Sequence, residues 1–249
     1  MAVCRKWKTN GVTTMKVTIY TPVFGNYDPE PYPVEHLHRE NVEFTWITDD
    51  LVNDNGWDVY LIDTEDADKW QIAKCNRAYK LQPHKMHGPR LHLDSSDINV
   101  YIDGNKQLFD IDKLLEYCER LYNNPDIDAY FYNHEHRTTV RQELKEVIDW
   151  RRDDPAKVKK QFTEYWKEGF RDDIPLCVAS VQIRKTHAPE LQKFLDCWWN
   201  EVQNKSYRDQ ISWPYAIWKT GFDRFERLDV KTERFNMIKN VSHKKVIQC

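Results

Sequence analysis

Glycine is scarce, with seven in 249 residues. A loop that cradles phosphates on successive backbone amides needs several glycines close together. "TPVFGNYD" (Thr21–Asp28), the loop after the first strand-like segment, has only Gly25. No apolar run approaches the ~20 residues that span a bilayer, and no signal-peptide core precedes the first folded segment. Neither sign of charge dominates: the formal net charge is -3, mixed along the chain, which excludes the concentrated basic face of a nucleic-acid binder. The six cysteines (Cys4, Cys75, Cys118, Cys177, Cys197 and Cys249) form no C-x-x-C pair. They read as reduced thiols, and the chain as a cytoplasmic protein. Without a secretory signal, the sequons at Asn204 and Asn240 read as chance. "HLH" (His36–His38) and "HEH" (His134–His136) lack the ligand spacing of a zinc site.

What is present describes a folded globular chain: 40% of residues are hydrophobic and 31% charged. Ten tryptophans stand out, with Trp198, Trp199, Trp213 and Trp218 in one C-terminal stretch. Most belong in a core, leaving one or two to stack on a sugar face. Residues 1–14 are polar and aperiodic and read as a flexible leader, and one domain is expected over 15–249. Strands are predicted at Val17–Thr21, Glu43–Thr48, Val59–Asp63, Ile98–Ile102, Ile127–Tyr132, Leu176–Ile183 and Phe225–Leu228. Helices are predicted at Lys69–Leu81, Asp110–Tyr122, Thr138–Trp150, Ala156–Phe170, Pro189–Gln203 and Asp209–Lys219, the last broken near Pro214. The alternation predicts an α/β, Rossmann-like domain with a central, mostly parallel mixed sheet flanked by helices.

In open α/β sheets ligands bind beyond the carboxyl ends of the strands. Those ends here carry "TPVFGNYD", "TDD" (Thr48–Asp50), "DGN" (Asp103–Asn105) and "NHEHR" (Asn133–Arg137). "YIDGN" resembles the D-x-D motif of GT-A-fold glycosyltransferases, in which a strand presents acids to a divalent cation on a nucleotide diphosphate. The third position is Asn105, a weaker ligand than Asp, so cation affinity is lower or the cation is dispensed with. The competing reading is an Asp-Gly-Asn turn.

Five blocks in order, "NRAYKLQPHKM" (Asn76–Met86), "VYIDGNKQL" (Val100–Leu108), "HEHRTTVRQEL" (His134–Leu144), "QIRKTHAPELQKFLDCWWNEV" (Gln182–Val202) and "YRDQISWPYAIWK" (Tyr207–Lys219), resemble one family. It is a glycosyltransferase-like family, first catalogued as a domain of unknown function, that includes the plant mucilage-related and turgor-regulation-defect proteins. The resemblance implies a GT-A-type fold and transfer of a sugar from a nucleotide-diphosphate sugar to a hydroxyl of a glycan or glycoconjugate.

It also implies roles for particular residues. Asp103 and Asn105 would face Mn²⁺ or Mg²⁺ or the diphosphate, with His243 completing the metal site and Lys244 or Lys245 closing on the phosphates. A loose basic tail is the alternative for these last three. Arg77 and Lys80, one helical turn apart, would project toward the phosphates, while a solvated helix face is the bland reading. His134 and Arg137 would contact diphosphate or sugar, and Thr48 and Asp49 lie at the nucleotide edge. Asp209 and Gln210 form the Asp-Gln pair that sits at the donor sugar in some retaining glycosyltransferases. Asp209 would hold sugar hydroxyls or act as base, with Glu201 second in line, and Gln210 would support the oxocarbenium-like centre. A helix N-cap is the structural role open to Asp209. A catalytically silent carbohydrate-binding module and, at lower rank, a nucleotidyltransferase are the competing functions.

Overall fold

The computed structural model describes residues 15–88, 91–234 and 236–243. The proposed leader, Lys244 and Lys245 lie outside the described residues. Strand β1 (Val17–Val23) is buried along its whole length, as a central strand between two layers must be. Val17, Ile19 and Val23 join one apolar cluster, and Tyr20 joins another on the opposite face. Strand β4 (Ile98–Ile102) divides in the same way, with Val100 and Ile102 against Tyr101. This is the two-residue alternation of a pleated strand.

Strand β1 runs parallel to β2 (Val42–Thr48) and to β4, and β2 runs parallel to β3 (Asp58–Leu61). Strand β7 (Cys177–Lys185) is antiparallel to both β4 and β6 (Ala129–Asn133), and β8 (Phe225–Leu228) is parallel to β6. The seven-stranded sheet has the order β3-β2-β1-β4-β7-β6-β8. Because β7 alone is reversed, β1, β2, β4 and β6 all deliver their carboxyl ends to one edge.

Helix α2 (Ile111–Asn123) seals one face with Leu114, Tyr117, Cys118 and Leu121. The other face takes α1 (Lys69–Leu81), which packs Ile72, Cys75 and Tyr79 against Tyr20 and Tyr101. Helices α5 (Pro189–Asn204) and α6 (Asp209–Thr220) cover β6 and β7 through Phe194, Trp198 and Trp213. Helices α3 (Val140–Asp149) and α4 (Pro155–Glu168) pack Val147 and Tyr165 beside Tyr215 of α6. Trp46, Trp198 and Trp213 are fully buried, whereas Trp150 and Trp166 are exposed.

The expected mixed sheet between helical layers is the observed architecture, with strand ends displaced by a few residues. Two details differ from expectation. Helix α6 runs through Pro214: the proline forfeits the hydrogen bond to the Gln210 carbonyl, and burial of Trp213, Ala216 and Ile217 holds the helix on either side. A second, two-stranded sheet pairs β5 (Lys106–Leu108) with β9 (Ile238–Asn240). Strands of three residues are too short to show periodicity, yet this pairing anchors the C-terminal segment beside the D-G-N turn. Among the described residues, no helix is long and apolar enough to cross a membrane.

Candidate active site

The tip of β4 is a tight turn. The Asp103 amide donates to the Ser180 carbonyl at 2.8 Å, and the Lys106 amide donates back to the Asp103 carbonyl at 2.8 Å. A β-carbon on Gly104 would lie 2.5 Å from Val23 Cγ2 and 2.8 Å from Asp28 Oδ2, so the turn is pressed against the loop after β1. The ordinary turn expected of D-G-N is real, and it fixes a polar edge.

Arg77 and Lys80 leave the last turns of α1 on the same side. The Lys80 ammonium, 3% exposed, lies 2.6 Å from Asp209 Oδ2 and 3.8 Å from Asp103 Oδ1. Arg77 Nε stands 3.4 Å from Asp209 Oδ2. The bland reading of both as a solvated helix face is set aside by this burial. The buried Tyr101 hydroxyl donates to Asp103 Oδ1, and Lys80 Nζ lies 5.0 Å from the Tyr101 ring centroid. Burial alone would raise the Asp209 carboxyl, but Lys80, Arg77 and Arg208 outweigh it and hold the group well below the usual carboxylate range. An acid so stabilised as its anion is a poor proton acceptor.

Beneath this edge Arg184, on β7 and 1% exposed, donates to the Lys80 carbonyl at 2.8 Å, to Gln182 Oε1 at 2.9 Å and to the Tyr20 hydroxyl. A carbonyl in the last turn of a helix has no intrahelical donor, so the guanidinium closes α1 at the residue that carries the ammonium.

Asp209 is the first residue of α6. The N-cap is Arg208, which makes no side-chain cap, so Asp209 does not fill the N-cap role open to it. Its carboxylate still benefits from the positive end of the helix. Trp198 Nε1 (2.8 Å) and Ser212 Oγ (3.2 Å) donate to its carbonyl. Gln210 Nε2 donates to the Cys177 carbonyl at 3.3 Å, which leaves the amide oxygen outside that contact.

Glu143, fully buried on α3, joins two of the sequence blocks. It accepts from Arg137 Nε at 2.7 Å and faces Arg208 Nη2 at 3.5 Å. His134 Nδ1 accepts the backbone amides of His136 (3.2 Å) and Arg137 (3.1 Å), and its Nε2 lies 3.0 Å from Arg137 Nη2. Burial and then the Arg137 charge lower the pKa of this imidazole. With Nδ1 accepting, Nε2 carries the ring hydrogen and cannot accept from Arg137, so His134 fixes the backbone of Arg137, whose guanidinium is held by Glu143. Charges alternate along the edge in the order Arg137, Glu143, Arg208, Asp209, Lys80, Asp103.

The residues expected to hold a divalent cation meet in part. Asn105 Nδ2 lies 3.0 Å from His243 Nε2, and His243 Nδ1 contacts Asp28 Oδ1. Asn105 Oδ1 accepts from Lys106 Nζ at 2.8 Å. Asp103 is engaged by Tyr101 and Lys80 instead. As arranged these groups do not fit a cation, because the imidazole lone pair faces the Asn105 amide nitrogen and the Lys106 ammonium stands against the amide oxygen. Among the described residues, no three of His, Cys, Asp and Glu gather as a metal site.

Three other candidates stand apart. Asp49 accepts from the Gly25 amide (2.9 and 3.0 Å) and the Thr64 hydroxyl (2.5 Å), tying two edge loops together. Thr48 is buried and its hydroxyl accepts from the Asp50 amide at 3.2 Å. Glu201 is spent on Tyr165 (2.7 Å) and Lys205 (2.9 Å), between α4 and α5.

The profile of the TOD1/MUCI70, glycosyltransferase-like domain matches residues 4–249. The chain belongs to the TOD1/MUCI70 family. No curated protein matches the sequence. Distant likenesses exist among solved structures. Mouse xyloside xylosyltransferase 1 aligns with a TM-score of 0.45 and 8% identity over 87% of this chain and 85% of its own. The glycosyltransferase GlyE of Streptococcus pneumoniae gives 0.41 and 11%, over 90% of this chain and 47% of its own. A glycosyltransferase involved in glycosylating the major capsid of PBCV-1 gives 0.40 and 8%, over 86% and 82%.

Four of the five blocks that carry the TOD1/MUCI70 resemblance thus converge on one edge, with Arg184 of the remaining block beneath it, together with residues that sequence reasoning passed over. Arg208 and Lys106 directly adjoin singled-out residues, so proximity in sequence was a signal. Glu143 was visible as a carboxylate on the buried stripe Val140, Leu144, Val147. Asp28 had no signal beyond its place in the loop after β1.

Proposed function

We propose that this chain transfers a sugar from a nucleotide-diphosphate sugar to a hydroxyl of a glycan or glycoconjugate, with retention of anomeric configuration. The observation that carries the reading is the convergence of Arg77, Lys80, Asp103 and Asp209 beyond the carboxyl end of β4, in a chain of the TOD1/MUCI70 glycosyltransferase-like family. A departing diphosphate gains negative charge, and preorganised cations at a partly desolvated edge stabilise it more than water does. Arg77, Lys80 and Arg208 supply that charge, and Arg137 extends it. Asp209 keeps Lys80 and Arg77 in place and is the wrong acid for proton abstraction. Gln210, anchored through its nitrogen, turns its carbonyl oxygen to the sugar, where it supports positive charge at the anomeric carbon.

Retention is compatible with a site whose central carboxylate is held as a passive anion, since an inverting displacement needs a positioned base. The test is a panel of nucleotide sugars, scored by thermal shift and by release of nucleoside diphosphate. Turnover of at least one donor is expected, with Asp103→Ala and Gln210→Ala each lowering kcat by about 100-fold. Tight glycan binding without turnover of any donor would instead identify a silent carbohydrate-binding module.

A further inference from the structure

We infer that Lys106 takes the place of a divalent cation at this site, so that donor binding is independent of metal. The inference rests on the donor-site reading above. Its observation is a hydrogen-bonded chain at the D-G-N turn. Lys106 Nζ donates to Asn105 Oδ1 at 2.8 Å, Asn105 Nδ2 donates to His243 Nε2 at 3.0 Å, and His243 Nδ1 donates to Asp28 Oδ1. Every step runs donor to acceptor in one direction, which assigns the imidazole hydrogen to Nδ1. The chain is self-consistent: it takes the imidazole lone pair and sets an ammonium against the amide oxygen that a cation would need.

Charge points the same way. A hard cation bound to Asn105 Oδ1 would sit about 2–2.6 Å from that oxygen. The Lys106 ammonium already occupies the oxygen from 2.8 Å, so the two positive charges would compete for one acceptor. A second carboxylate at position 105 would offset that repulsion, and a neutral amide does not. Asp103 is likewise engaged, by the Tyr101 hydroxyl and by Lys80 Nζ at 3.8 Å.

Lys106 is 8% exposed. Its amide is fixed in the turn by the Asp103 carbonyl, and its strand, β5, is pinned by β9. The ammonium is therefore oriented before any ligand arrives, as a bound cation would be. Asn105 becomes a positioning residue that holds the ammonium at the strand tip, and Asp28 anchors the far end of the chain through His243. The departure from D-x-D at Asn105 is then part of the device, because an amide can accept from Lys106 and donate to His243 at once, which a carboxylate cannot.

The test uses the full chain with UDP, GDP and ADP as probes, by calorimetry and thermal shift, in EDTA and in saturating Mn²⁺. The nucleoside diphosphate that binds is expected to do so with Kd values within about twofold of each other in the two conditions. Mn²⁺ alone is expected to leave Tm unchanged. Lys106→Met is expected to weaken binding by about 10- to 100-fold, the worth of one or two charge-assisted hydrogen bonds, with Lys106→Arg retaining most of it. Asn105→Asp is expected to introduce a dependence on Mn²⁺. Wild-type binding seen only with Mn²⁺ overturns the inference and leaves the donor-site reading standing. No binding of any nucleotide in either condition removes the donor site itself, and the inference with it. The EDTA comparison needs no variant, so a misfolded Lys106→Met leaves the test intact.

Discussion

Lys80 on α1 and Asp209 on α6 meet at 2.6 Å with 3% and 6% of their side chains exposed. The contact joins two helices that lie 129 residues apart in sequence between these positions, at the edge where the strands end. Burying two charges costs solvation that their attraction recovers only while both are present.

Removing one partner therefore strands the other. Lys80→Met is expected to lower unfolding stability by about 3–5 kcal/mol in urea titrations, and Asp209→Asn by a similar amount. Arg77, 3.4 Å from the same oxygen, softens the loss of Lys80 without cancelling it. The double variant is expected to lose less than the sum, with a coupling of about 1–3 kcal/mol. Additive losses would show that the two groups do not act as a pair.

The same environment sets a pH dependence. Lys80, Arg77 and Arg208 outweigh burial and depress the Asp209 carboxyl in the folded state. A depressed folded value contributes stability that is complete above the unfolded value of about 4 and is lost as pH falls through the folded one. Wild-type protein is expected to lose stability below about pH 4, and Asp209→Asn to flatten that acid limb. The pH–rate profile is expected to show no ionisation of Asp209 between about pH 5 and 9. A limb there that disappears in Asp209→Asn would restore the residue as a base.

Much of this was legible in the sequence, and the rest was not for identifiable reasons. The boundaries of α1 followed from its apolar spacing and from Pro83 behind it, and the structure adds Asp68 as the cap ahead of it. The strands of the sheet announced themselves as short apolar runs. Arg77, Lys80, Asp103 and Asp209 were selected by motif, and their contact depends on the sheet that brings α1, β4 and α6 to one edge. What local pattern cannot report is which donor meets which acceptor. Lys106 was an unremarkable lysine until its ammonium was seen on Asn105. His243 read as tail more readily than as ligand, because the three-residue pairing of β9 with β5 has no periodic signature. Glu143 carried the better clue, a carboxylate among Val140, Leu144 and Val147, since such an intruder must have buried partners.

Gly104 offers a steric test of the turn. Its missing side chain leaves room for Val23 and for the Asp28 carboxylate, which a β-carbon would approach to 2.5 and 2.8 Å. Gly104→Ala must push the loop after β1 away from the strand tip, and with it the Asp28–His243 contact. A stability loss of about 1–3 kcal/mol is expected from thermal unfolding, together with weaker nucleotide binding by calorimetry. Loss of stability with binding unchanged would place the Asp28 loop outside the donor site.

Arg184 allows position to be separated from chemistry. It lies one layer below the edge, and its partners are the Lys80 carbonyl, Gln182 and the Tyr20 hydroxyl, with no carboxylate among them. A cation so placed is held by acceptors and by the negative end of α1. Arg184→Met leaves those buried acceptors unpaired, and a loss of about 2–4 kcal/mol is expected in urea. Arg184→Lys is not expected to restore it, because an ammonium cannot reach three acceptors in the fixed fork of a guanidinium. The guanidinium holds the carbonyl of the residue whose ammonium reaches Asp209 and Asp103, so Arg184→Lys is also expected to weaken nucleotide binding at temperatures where it remains folded. Full affinity in that folded variant would show that Lys80 keeps its place without the guanidinium, and that Arg184 serves the core alone.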